Sequence, residues 1–479
     1  MRKLKLPVIL VSLLTMFATA HSAPAPANRG ISFARADLAA ASTLRERALA
    51  DDTAYQLVES LTTEVGPRPA GSSGDRAAVA WAQREMQRLG FANVHTVSAT
   101  VPHWVRGEAE FSVMAPWPQT MPTLTLGGSV GTGSEGLEAD AVMVKDLDAL
   151  AKLAPGAVKD RIVFFNLRME RARDGAGYGK AVGVRAAGPS AASALGARGV
   201  VIRSISTSNN RFPHTGALRY TTTSPRIPAF AISNPDADAL ERQFTSGKPV
   251  RLRMRSTARE LPDEQSANVV GDIPGTDLAQ EIVILGAHLD SWDPGVGALD
   301  DGAGVGIMMG VAKLIAGLDV KPRRTIRVVL FANEEFGTSG SQAYLASLGD
   351  DVAKHVLGFE ADIGAGPVWR LSSRVHPDQV PAVDQLFKVL APFKLVRGNN
   401  EAGGGADLDG LGKLGMPILE PGLDATHYFD VHHTANDTLA QVDPAALRQS
   451  VAAFAVSVWL GSQYRGTWNR VETPKAPRR

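Results

Sequence analysis

Five short segments hold the side chains whose types and spacing could do chemistry. His288-Leu289-Asp290 ends an apolar run, and Asp300-Asp301 stands in a Gly-rich turn that opens a helical pattern. Asn333-Glu334-Glu335 and Asp362 each follow a further apolar run, and His432-His433 precedes Thr434-Ala435-Asn436-Asp437-Thr438. Imidazole together with carboxylate suits Zn2+, with Mn2+ or Co2+ as substitutes, whereas Ca2+ and Mg2+ prefer oxygen alone. Two histidines with three or four carboxylates exceed the shell of one zinc ion. They suit two ions about 3.5–4 Å apart, bridged by one carboxylate, which activate water and polarise a carbonyl together. Each segment also has a plainer reading. His-x-Asp can be a surface pair, Glu334-Glu335 a helix N-terminus, Asp300-Asp301-Gly302 a turn, and His432-His433 loop residues. Their joint order, mostly at the ends of apolar runs, favours the functional reading.

The elements that must position these groups alternate from Ile273 onward. Apolar runs at Ile282 to Ala287, Thr325 to Ala332, Val356 to Ala361 and Met416 to Leu419 read as strands. Helical spacing covers Gly304 to Ala316, Ser341 to Leu348, Pro381 to Leu390 and Pro444 to Leu460. Such alternation predicts an α/β sandwich with buried strands, in which ligands gather outside the carboxyl ends of the strands. Upstream, Ala54 to Val65 and Asp75 to Gly90 are helical in period, joined by the punctuation Gly66-Pro67-Arg68-Pro69-Ala70-Gly71. From about 118 to 259 the texture changes to short β runs broken by Gly, Pro, Ser and Thr, with few clustered acids or histidines. That block reads as a separate, β-rich domain that contributes no metal ligand. The expected layout is a leader over 1–20, a mobile lead-in over 21–45, a catalytic part over 46–117, the inserted block over 118–259, a second catalytic part over 260–466 carrying the metal site, and a frayed tail over 467–479.

Composition closes off other classes. The chain has 479 residues, 21% charged, with 50 Lys+Arg against 49 Asp+Glu, so neither a basic nucleic-acid surface nor an acidic tail is expected. There is no cysteine, which excludes disulfides, thiolate zinc sites, iron–sulfur clusters and a cysteine nucleophile. Arg2, Lys3 and Lys5 precede the apolar stretch Leu6 to Ala20, which ends in Ala18-Thr19-Ala20. This is a secretory leader pattern, too short to span a bilayer, and it predicts a secreted or periplasmic chain with no stable membrane span. Gly127-Gly128-Ser129-Val130-Gly131 satisfies a nucleophile-elbow pattern, but Thr132-Gly133-Ser134 cannot open the helix that pattern needs.

Taken together, Gly286-Ala287-His288-Leu289-Asp290, Gly297-Ala298-Leu299-Asp300-Asp301-Gly302-Ala303-Gly304, Asn333-Glu334-Glu335-Phe336-Gly337, Glu360-Ala361-Asp362 and His433-Thr434-Ala435-Asn436-Asp437-Thr438 resemble the motifs of metallopeptidase family 28. Members of that family are co-catalytic zinc exopeptidases, among them leucyl aminopeptidases and glutamate carboxypeptidases. The middle block resembles the protease-associated domain inserted in such enzymes. The resemblance implies a three-layer α/β sandwich with a mixed sheet and two Zn2+ per chain. It implies that Asp300 bridges the ions, His288 and Asp362 complete one site, and Glu335 and His433 the other. Glu334 becomes the general base, acting on water, and Asp290 orients His288 through its second ring nitrogen. Asp301 and Asp437 become structural turn residues.

The family pattern favours His433 over the adjacent His432, and His355 and His427 match no position. The implied substrate is a dipeptide or short peptide, and a homodimer is compatible with the resemblance. Asp407, in a Gly-rich loop, reads either as a group placing a substrate amine or as an ordinary solvated acid. Two competing readings keep the fold: a non-catalytic binding protein, which would lack a ligand or the base, and a single-zinc glutaminyl cyclase.

Overall fold

The computed structural model describes residues 33–472; the expected leader lies outside them, as do the start of the expected lead-in and the end of the tail. Two eight-stranded sheets organise these residues. The first runs, in spatial order, through Ala92–Val105, Arg259–Ile273, Arg324–Phe331, Leu278–His288, His355–Glu360, Ile418–Leu423, Val368–Arg374 and Val396–Arg397. It is mixed: Leu278–His288 lies parallel to both of its neighbours, while Ala92–Val105 and Arg259–Ile273 form an antiparallel edge.

The strand Leu278–His288 shows why the centre reads as a nearly unbroken apolar run. Side chains alternate faces along a strand, so Val283, Leu285 and Ala287 join one core while Ile282 and Ile284 join another. The first core packs against the helices Arg35–Leu49, Thr53–Ser60, Ser73–Arg88, Ala303–Ala316 and Pro444–Gln463. The second packs against Ser339–Leu348 and Asp409–Lys413. Both faces are therefore covered, giving the three layers expected of a buried sheet.

Register then sets the site. His288 pairs with Phe331, and Gly286 pairs with Glu360. The carboxyl ends of three adjacent parallel strands are thus level. The residues that follow them (Leu289-Asp290, Asn333-Glu334-Glu335 and Asp362) emerge on one edge.

The second sheet is built from Gln119–Met121, Ala109–Ala115, Arg251–Ser256, Leu137–Val144, Ile162–Phe165, Gly199–Arg203, Ala229–Ile232 and Thr123–Thr125. Four of these strands, from Leu137–Val144 to Ala229–Ile232, are parallel neighbours. Val163, Phe165, Val200 and Ile202 face one core and Ile162, Phe164 and Val201 the other. The block is therefore an α/β unit with helices at Ala176–Ala186, Gly188–Ala194 and Asn234–Thr245, more helical than its broken texture suggests. It also begins earlier than expected: Ala109–Ala115 pairs with Arg251–Ser256 and belongs to this sheet.

Two terminal expectations need correction. Residues 35–45 are not a loose lead-in but lie in the helix Arg35–Leu49, which buries Ala41 and Leu44 and lies against the last helix. Trp459 Nε1 donates to the Asp37 carbonyl at 2.9 Å across that contact. Nor is residue 468 frayed: Trp468 is buried against Tyr464, and its indole donates to the Gly461 carbonyl at 3.0 Å. Ala-rich and polar composition hid both segments, because one long partner helix supplies their apolar surface.

Candidate metal centre

The five candidate ligands converge on one edge of the first sheet. His288 Nε2 lies 3.2 Å from Asp300 Oδ1 and 3.3 Å from Asp362 Oδ1. His433 Nε2 lies 3.1 Å from Asp300 Oδ2 and 3.1 Å from Glu335 Oε2. Asp300 thus offers one oxygen to each pair. Zinc holds nitrogen and oxygen ligands at about 2.0–2.2 Å in a tetrahedron, whose edges are then about 3.3–3.6 Å; the observed separations match such edges to within a few tenths of an ångström. Asp300 Oδ2 and Glu335 Oε1 are buried without a hydrogen-bond partner, and unpaired buried carboxylate oxygens are costly. The donor set and its orphaned oxygens fit two cations sharing Asp300. His288, Glu334 and Asp362 also offer ligand atoms all within 4.8 Å of one another, so Glu334 stands beside the His288–Asp362 pair.

Burial dominates the electrostatics. It raises Glu334 well above the usual carboxylate range, with Asp362 adding to the effect, and raises Glu335 to about 7 against the opposing pull of His433. Burial also raises Asp362, opposed by His288. Burial opposes charge on His288 and His433 too, but the carboxylates outweigh it. Asp362 leads for His288 and Glu335 for His433, and both rings are held well above the ordinary histidine value. Asp300 goes the other way: burial alone would raise it, but His288 and His433 hold it well below. A site with this many acids competing for protons is one that prefers cations.

The turn carrying Asp300 is fixed from beneath. Asp437 accepts from the backbone N–H groups of Leu299 at 2.7 Å and Asp300 at 3.1 Å. Asp301 accepts from the His288 N–H at 3.1 Å and the Gly304 N–H at 3.1 Å. Gly297 adopts a left-handed φ of 58°. At Gly304 a Cβ would stand 2.1 Å from the Ala361 carbonyl oxygen. These contacts explain why the motif needs glycine at both positions. Asp290 does two things. Its carbonyl faces His288 Nδ1 at 3.0 Å, closer than its carboxylate at 3.5 Å. The carboxylate instead accepts from the N–H groups of Glu334 at 2.9 Å and Glu335 at 3.4 Å.

Asp300, His432 and His433 also offer ligand atoms all within 4.8 Å of one another, so His432 stands at the centre too. His432 is buried and stacked on His433 with centroids 3.4 Å apart, but its Nε2 is 3.7 Å from Asp300 Oδ2, farther than that of His433. His427 is exposed beside Asp430, and His355 is buried against Tyr344, away from the centre. Asp407 is not a solvated loop acid: it is 5% exposed, and burial raises it to about 8. Ser129 is buried and receives the Ala229 N–H at 2.9 Å, which makes it structural.

Four supporting residues escaped the sequence reading: Arg68, Arg106, Thr215 and Trp292. Arg68, in what looked like loop punctuation, is fully buried. It donates to the carbonyls of Leu289 at 2.6 Å, Val296 at 2.6 Å and Gly297 at 2.9 Å. Nothing in sequence separates such an arginine from a solvated one, apart from its unusual place between two prolines.

Residues 268–458, which include every candidate ligand, match the model of peptidase family M28. Carboxypeptidase Q of Bos taurus is 31% identical over 407 residues, covering 85% of this chain and 84% of that protein. The chain belongs to peptidase family M28. It is a metallopeptidase, with the α/β fold of the family. The crystal structure of a Peptidase M28 precursor from Shewanella amazonensis SB2B superposes with a TM-score of 0.90 at 41% identity, covering 92% of this chain and 99% of that one. An aminopeptidase from Aneurinibacillus sp. strain AM-1 shares the fold at a TM-score of 0.62 and 20% identity, covering 92% of this chain and all of that one.

Proposed function

We propose that this chain is an exported dizinc exopeptidase that hydrolyses dipeptides or short peptides. The observation carrying this reading is the shared Asp300, with one oxygen beside His288, which also reaches Asp362, and the other beside His433, which also reaches Glu335. The relatives named carboxypeptidase Q support peptide hydrolysis as the reaction. Two zinc ions held there would polarise the scissile carbonyl and make water acidic enough to lose a proton near neutral pH.

Glu334 takes that proton and delivers it to the leaving amine. Its burial raises its pKa, which suits a group that must hold a proton between the two steps. Asp290 fixes where Glu334 and Glu335 stand by accepting both of their N–H groups. The two carboxylates therefore diverge from one turn, Glu335 toward His433 and Glu334 toward the His288–Asp362 pair.

Candidate ligands line a cavity shared by both sheet units. This cavity of 430 Å³ adjoins Asp300, Glu334, Glu335, Asp362 and His433. Tyr178, Val182, Arg185 and Leu218 from the second sheet unit also line it. We take that unit to be the inserted domain, which crosses from the first sheet near Arg106 and returns near Thr257. All five ligands and Glu334 stand together, which argues against a binding protein that has lost catalysis, and two complete ligand pairs argue against a single-zinc cyclase. Metal analysis with a panel of free and end-blocked dipeptides tests the proposal: about two zinc per chain and cleavage of unblocked dipeptides support it, and hydrolysis by demonstrably metal-free protein refutes it.

A further inference from the structure

Arg106 lies on the crossing between the two sheets, between the strands Ala92–Val105 and Ala109–Ala115. It is 7% exposed, far more buried than an arginine in a connecting turn ordinarily is. Its guanidinium grips both units. Nε and Nη2 donate to Asp293 at 2.8 and 2.5 Å, on the loop that follows His288. Nη1 donates to Thr215 Oγ1 at 2.9 Å and to the Thr125 carbonyl, both in the second unit.

Two separate routes lead from this guanidinium to the same pair of ligands. Thr215 makes two bonds with His433: its N–H donates to the His433 carbonyl at 3.1 Å, and its own carbonyl faces His433 Nδ1 at 3.2 Å. The second contact fixes the tautomer and aims Nε2 at Asp300 and Glu335. It matters more because His433 holds a left-handed φ of 62°, which a non-glycine residue keeps only when its surroundings enforce it. The other route runs through Trp292, whose ring lies 5.7 Å from the Arg106 guanidinium carbon. Its indole N–H donates to Glu335 Oε2 at 2.5 Å. Trp292 is seated on Gly127, where a Cβ would come within 1.9 Å of the ring; this is the use the glycine-rich stretch around Ser129 has in the fold. Among the described residues, Arg106 contacts no group that itself faces His288 or Asp362: His288 Nδ1 faces the Asp290 carbonyl on its own segment.

We infer that Arg106 is a positioning residue for one metal position only, the one formed by Glu335 and His433, and that the second sheet unit thereby holds half of the metal centre in shape. The inference rests on the two-metal reading above. Outer contacts of this kind change metal affinity by about 10- to 100-fold. Arg106→Met removes both routes at once, and Arg106→Lys keeps a charge without the fork that spans Asp293 and Thr215.

The test is zinc content of the full chain after equilibrium dialysis against buffers of fixed free zinc. Wild type is expected to hold two zinc ions; fewer than two overturns the metal reading itself. Arg106→Met is expected to keep one site at wild-type affinity and to weaken the other about 10- to 100-fold, with Arg106→Lys between them. Arg171→Met is the control, because Arg171 also joins the two units, through Asp430 at 2.7 and 2.8 Å, without touching a ligand's partner. It should leave both affinities unchanged. Equal weakening of both sites, no weakening, or the same loss in Arg171→Met overturns the role of Arg106. If Arg106→Met does not fold, Arg106→Lys carries the test, and two undisturbed sites in that variant overturn the inference.

Discussion

Arg68→Met should destabilise the metal-free protein by about 4 kcal/mol. The guanidinium is fully buried and its donors reach the carbonyls of Leu289, Val296 and Gly297 at 2.6–2.9 Å. Burial lowers its pKa, and Asp437, Asp290, Asp301 and Asp300 oppose that by favouring the charge. Methionine fills much of the volume but leaves the Leu289 and Val296 carbonyls without their donor, while Gly297 keeps the Gly302 N–H, and it removes the cation beneath four acids. Breaking a buried charged contact costs about 3–5 kcal/mol; the separate hydrogen-bond losses overlap with that figure and do not add to it. Unfolding entropy of about 2.1 cal/mol/K per residue over the roughly 440 described residues converts 4 kcal/mol into a fall of about 4 °C. Thermal unfolding followed by far-UV circular dichroism on zinc-free samples reads this directly. Arg68→Lys should fall between the two, since one ammonium cannot span three carbonyls. A methionine variant that melts within 1 °C of wild type would refute the view that this arginine supports the Asp300 turn.

Three further outcomes are expected. Buried His355 donates from Nδ1 to the Asp351 carbonyl, accepts from Tyr344 at Nε2, and has its pKa lowered by burial to about 4. The unfolded chain therefore takes up this proton first, so stability falls as pH drops from about 6.5 to about 4, by up to about 3 kcal/mol. Urea midpoints at pH 7 and pH 5 should show a shallower pH dependence for His355→Gln, and parallel curves would count against a buried neutral ring. Chelation should abolish peptide hydrolysis and added zinc restore it, with activity surviving in a sample shown to be metal-free as the contrary result. The exported chain should begin near His21, and an intact Met1 in the mass spectrum of exported protein would oppose a cleaved leader.

Much of the centre is legible because its chemistry is local. His288, Glu335 and Asp362 each follow an apolar run and Asp300 precedes a helical pattern, while His433 stands in a loop, and strand register alone brings three of those breaks level. The buried part of a strand follows for the same reason, as the apolar run Ile282 to Ala287 shows, but the strand itself begins at Leu278, where more exposed residues break the pattern. What escapes is whatever depends on distant partners. Arg68 and Arg106 look like ordinary loop arginines until carbonyls and acids from far along the chain surround them. Asp407 reads as solvated because glycines flank it, yet the fold buries it. The helix Arg35–Leu49 is hidden by its alanines, since the surface it packs on belongs to residues 444–463. Asp290 is recognised correctly as a neighbour of His288, but which of its oxygens faces the ring is a matter of ångströms that no spacing encodes.

The central claim is that Glu334 moves the proton while Glu335 holds metal. Zinc content and dipeptide hydrolysis measured together on Glu334→Gln and Glu335→Gln test it most directly. The glutamine at 334 keeps size and polarity but cannot take a proton, so hydrolysis should fall by about 10²–10⁴ or more with both zinc ions retained. The glutamine at 335 replaces a charged oxygen beside His433 and should lose one zinc. Loss of zinc from Glu334→Gln with retention in Glu335→Gln would reverse the two roles, and full activity in Glu334→Gln would contradict the mechanism.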